Sequence, residues 1–63
     1  MTAKEVTAIQ KMIRQRMGFE EMYKLRARTE MEKTYFEGKI MALDDMLFRI
    51  RQFYNDQNNQ QEA

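Results

Sequence analysis

The sequence predicts an all-α protein, a short N-terminal helix followed by a long helix (or a helical hairpin), that associates into a homo-oligomeric bundle. Three observations lead there. Proline is absent and glycine occurs only at Gly18 and Gly38, while Glu, Lys, Arg, Met, Gln and Ala dominate, a helix-forming composition with no competing period-two strand pattern. Residues 35 to 54, YFEGKIMALDDMLFRIRQFY, carry more apolar surface than one face of a helix can hide. And a chain of 63 residues buries only about 60% of the surface its unfolded form exposes. With no Cys and no His it has neither disulfide nor thiolate or imidazole metal ligand to supplement so small a core, which leaves self-association.

The first helix begins at a capping box. In Thr2-Ala3-Lys4-Glu5 the threonine side chain is placed to accept from the backbone at the third helical position, and the glutamate to reach back to the cap. Val6, Ile9, Ile13 and Met17 follow at steps of three or four, one apolar stripe that runs to Gly18, where the reading favours a break. Helical pattern resumes at Phe19 with Met22, Tyr23 and Leu25, then thins through residues 26 to 34, where only Ala27 and Met31 are apolar. Thr29 to Glu32 and Thr34 to Glu37 repeat the capping-box spacing, so a second helix can begin at either. The segment offers no Gly, Pro, Asn or Asp to shape a loop, which favours a continuous or kinked helix over a tight hairpin. Asn55 suits a helix end, and residues 55 to 63 are polar and aperiodic, giving a single domain over 1 to 54 and a disordered tail after it.

Within the long helix two rows stand side by side. Phe36, Ile40, Leu43, Leu47, Ile50 and Tyr54 alternate steps of four and three, a heptad seam; Tyr35, Lys39, Ala42, Met46, Arg49 and Phe53 run beside it. The expected oligomer interface is Phe36, Ile40, Leu43, Met46, Leu47, Ile50, Phe53 and Tyr54, and the combined arc asks for a neighbour on each side, as two such chains provide in a four-helix bundle. Met41 and Phe48, seven apart, fall outside the arc among Glu37, Asp44, Asp45 and Arg51. Covered by the first helix they are core; left exposed, Met41, Asp44, Asp45, Phe48 and Arg51 form a patch for a protein partner.

Charge is split unevenly. Residues 1 to 28 hold seven Lys or Arg against three Glu, residues 29 to 63 four basic against seven acidic, about +4 and −3 within a total of +1. Attraction between the halves accounts for this, and the alternative is a nucleic-acid surface made by Lys11, Arg14, Arg16, Lys24, Arg26 and Arg28. An enzyme is the class least expected, since so small a bundle has little room for a water-shielded pocket and lacks the commonest acid–base residue. Asp44 and Asp45, adjacent on a helix, point about 100° apart and make no paired site. No cofactor or metal is expected. Nothing resembles a leader or a membrane span, so a soluble cytoplasmic protein is the expectation.

The run Tyr35 to Leu43, Y-F-E-G-K-I-M-A-L, resembles the aromatic, Gly, then Ala-Leu helical segment of small proteins encoded by bacteriophages. That resemblance implies an accessory protein acting in the host bacterial cytoplasm, an inhibitor or adaptor that works by binding a host or defence protein.

Overall fold

The computed structural model describes residues 2–62, with side chains through residue 57, and is a hairpin of two helices. Helix α1 spans Ala3–Arg26 and α2 spans Glu30–Glu62. The capping box forms as the spacing predicts: the Glu5 N–H donates to Thr2 Oγ1 at 3.2 Å, and the Thr2 N–H donates to Glu5 Oε1 at 3.0 Å. The Thr2 backbone N–H first, and its hydroxyl second, favour the ionised carboxyl and hold the Glu5 pKa below its ordinary 4.5.

Gly18 does not end the helix. It and Gly38 lie inside α1 and α2 with no positive φ at either. A helical glycine costs roughly 1 kcal/mol relative to alanine, and here α1 keeps its contact with α2 beyond Gly18 through the buried Glu20 and the half-buried Lys24. Nor do residues 26 to 34 form a continuous helix. Ala27 leaves α1 in extended conformation with its N–H still bonded to the Lys24 carbonyl at 3.1 Å. Two residues later α2 is capped at Thr29, whose Oγ1 accepts from the Glu32 N–H at 3.1 Å, while Glu32 Oε2 accepts from the Arg28 N–H at 3.2 Å. A three-residue link of this kind needs no left-handed φ, so the lack of Gly or Asn was no obstacle. Of the two capping-box spacings Thr29–Glu32 is the one used; Thr34 lies within α2. At the far end α2 passes Asn55 and stays helical to Glu62, so the polar segment expected to be a disordered tail continues the helix; its Gln and Glu residues are good helix formers and no Pro or Gly interrupts them. Ala63 lies outside the described residues.

Antiparallel packing follows from the pairs Lys24–Glu37 and Glu20–Lys39. The contact line on α1 is Val6, Gln10, Ile13, Met17, Glu20, Lys24 and Ala27; on α2 it is Lys33, Phe36, Ile40, Leu43, Leu47, Ile50, Tyr54 and Gln57. Both alternate steps of three and four. The seam read from the sequence therefore finds its first neighbour inside the chain. Yet the result is one layer, with extents of 52 × 17 × 9 Å, and among the described residues only Val6 and Ile13 become buried apolar residues. At ~1.5–3 kcal/mol for each such side chain, against ~1–2 kcal/mol of backbone entropy per ordered residue, the hairpin alone is thinly supported.

Candidate functional site

Glu20 is the third buried side chain and the most shielded, at 0% exposure. It occupies an interior position of the contact line, where heptad geometry points it at α2. Its Oε1 lies 3.0 Å from Arg16 Nη2, one turn back, and 3.4 Å from Lys39 Nζ across the hairpin. Neither contact is aligned as a hydrogen bond, and Oε2 has no hydrogen-bond partner. Lys39 Nζ also stands 4.9 Å from the Tyr35 ring centroid and 5.9 Å from that of Phe36, which packs at 5.8 Å against Tyr23. Charge and aromatic rings together fix how the helices meet near the link.

On either side of the contact line, at about 100° per residue, the two helices present two broad faces. One is apolar: Met12, Phe19 and Tyr23 from α1 and Tyr35, Met46 and Phe53 from α2 are all exposed there. The other is mixed. Arg14 and Met17 of α1 and Asp44, Leu47, Phe48 and Arg51 of α2 line a groove of about 420 Å³. A second hollow of about 320 Å³, lined by Glu21, Lys24, Leu25 and Ile40, continues along that face toward the link. The floor is Met17, Leu47 and Ile40, half-buried between the helices, with Phe48 as an exposed wall.

The sequence-derived residues fall out as follows. Phe36, Ile40, Leu43, Leu47, Ile50 and Tyr54 are half-buried on the side facing α1, whereas Met46 and Phe53 stay exposed on the apolar face. Asp44, Phe48 and Arg51 come together in the groove, and Met41, 72% exposed, lies on the same outward side of α2. Asp45 does not join them: it turns to the back of α2 and accepts from Arg49 Nε at 2.7 Å. The six basic residues are not gathered on one face. Arg16 is held by Glu20 and Lys24 by Glu37 at 3.1 Å, Lys11, Arg14 and Arg26 sit at different azimuths of α1, and Arg28 lies in the link.

Sequence reasoning missed the contribution of α1 to both faces. Met12, Phe19 and Tyr23 are seven and four residues apart, a visible row once α1 is carried through Gly18. Arg14 and Met17 gave no comparable signal, because only the antiparallel register brings them to Leu47 and Arg51. Comparison with family models, with curated proteins and with solved structures finds no match. Among the described residues, no helix is long and apolar enough to cross a membrane.

Proposed function

We propose that this chain is a non-enzymatic protein–protein interaction module that works as a homodimer in the cytoplasm, apolar face against apolar face, with the grooved face left for another protein. The observation that carries this is the exposed row Met12, Phe19, Tyr23, Tyr35, Met46 and Phe53 on a hairpin one layer thick. Large contiguous apolar patches on small proteins mark contact surfaces.

A second copy suits that face by its own pattern. Tyr35 and Phe53, Lys39 and Arg49, Ala42 and Met46 lie at equal spacings on either side of position 44. An antiparallel copy sets Tyr35 against the partner's Phe53 and Ala42 against the partner's Met46, large beside small as a two-fold contact requires. Each of the like charges this brings near one another has a carboxylate beside it, Asp45 at Arg49 and, shared with Arg16, Glu20 at Lys39. An adaptor or inhibitor of the kind small phage-encoded proteins supply acts through surface alone, which is what the geometry offers. Light scattering at micromolar concentration tests the dimer: twice 7.7 kDa is expected, falling to a monomer in Met46→Glu/Phe53→Glu. A stably folded wild-type monomer would overturn it.

A further inference from the structure

Resting on the protein-binding reading above, we propose that the groove receives an amphipathic α-helix of the partner that carries a carboxylate at one end, an apolar middle and a cation about two turns away. The two hollows lie end to end between α1 and α2, from Arg51 and Arg14 to Leu25 and Ile40. On α2 that span, from position 51 back to position 40, is roughly 17 Å or three helical turns, the reach of a short third helix laid against a pair. Its floor of Met17, Leu47 and Ile40 asks for aliphatic or aromatic anchors, and methionine adapts to their shape.

The rim sets the polarity. Arg14 and Arg51 flank the first hollow from opposite helices, and among the described residues neither they nor Asp44 enters an ion pair. Two guanidiniums against one carboxylate leave a positive surplus where a bidentate acceptor would sit. At the other end Glu21 is without an ion pair, while Lys24 is engaged with Glu37, so the surplus there is negative. Gly18, whose missing Cβ would meet nothing within 4 Å, leaves the α1 wall low between the two ends. A nucleic-acid strand satisfies the arginines but not an aliphatic floor with a single aromatic wall, since single strands bind on stacking platforms.

Selection of a displayed library of 16-residue helical peptides on the immobilised protein tests this directly. The expected winners carry Asp or Glu within one turn of Leu, Phe or Trp and Lys or Arg about two turns further on. Their binding should weaken about tenfold or more to Arg14→Glu/Arg51→Glu, with helicity and mass of that variant unchanged because both side chains are exposed. Winners that are neutral or basic at the Arg14–Arg51 end, or that bind both proteins equally, overturn the inference and leave the interaction module standing. No enrichment, with salt-sensitive capture of oligo-dT that needs the same two arginines, overturns both.

Discussion

The two halves of the hairpin are held by different chemistry. Away from the link, Val6 and Ile13 are buried against the aliphatic stretch of α2, a contact that depends on area and tolerates sliding. Near the link the same contact line carries Glu20, Lys24 and Lys33, with Lys39 beside it, among Tyr23, Tyr35 and Phe36, and two caps close the chain reversal. The apolar half supplies free energy. The polar half supplies register, because Glu20 reaches Lys39 across the hairpin in one alignment only, and a one-turn slip leaves the shielded carboxylate with Arg16 of its own helix alone.

The largest effect expected from this contrast is at Ile13. Ile13→Ala should cost about 2 kcal/mol or more in chemical denaturation, and a smaller loss than that of any change at the charged cluster would invert the comparison. Next comes the cluster itself. Lys39→Ala leaves Glu20 with Arg16 alone and should cost about 1–3 kcal/mol, whereas Glu20→Leu, which removes the shielded charge altogether, should be near neutral or stabilising while broadening the amide NMR signals around the link. Equal destabilisation by both would mean that Glu20 contributes energy and not alignment. Gly18→Ala and Gly38→Ala add a Cβ that meets nothing within 4 Å, so each should stabilise by about 0.5–1 kcal/mol in thermal melts. A loss at either would reveal a neighbour on that side of the helix.

The smallest effect concerns the free end. Because the folded Glu5 pKa is lowered below 4.5, its share of stability is present above that value and is lost as pH falls through the lower folded one. The melting temperatures of wild type and Glu5→Gln should therefore differ at pH 6 and converge at pH 3. A gap that persists at pH 3 would assign the effect to side-chain geometry in place of charge.

What could be read from the residues was what depends on spacing. The Thr2 cap, the stripe Val6, Ile9, Ile13, Met17 and the seam from Phe36 to Tyr54 are local periodicities, and a helix imposes them wherever it forms. The chain reversal was misread because its signal is not compositional: Ala27, Arg28 and Thr29 turn the chain through one extended residue and a cap, without the glycine that commonly marks a loop. Gly18 misled in the opposite direction, since a helix end is decided by what the next turn can bury and not by one residue's preference. Of Met41, Asp44, Asp45, Phe48 and Arg51, grouped from one helix alone, Asp45 turns to the back of α2 toward Arg49, while Asp44, Phe48 and Arg51 line one groove. Their neighbours Arg14 and Met17 are set by the register between helices, which the Glu20–Lys39 contact determines and no single-helix pattern contains.

The thinness of the hairpin bears on how such a chain changes over time. Among the described residues only three side chains are shielded within the chain, and substitutions at open positions typically alter stability by less than about 0.5 kcal/mol. Selection for folding therefore grips few of the described positions and leaves the two broad faces free to vary. Lineages built this way should keep their shape and charge pattern long after their letters have diverged, and kinship among them is better sought in the alternation of threes and fours than in identity.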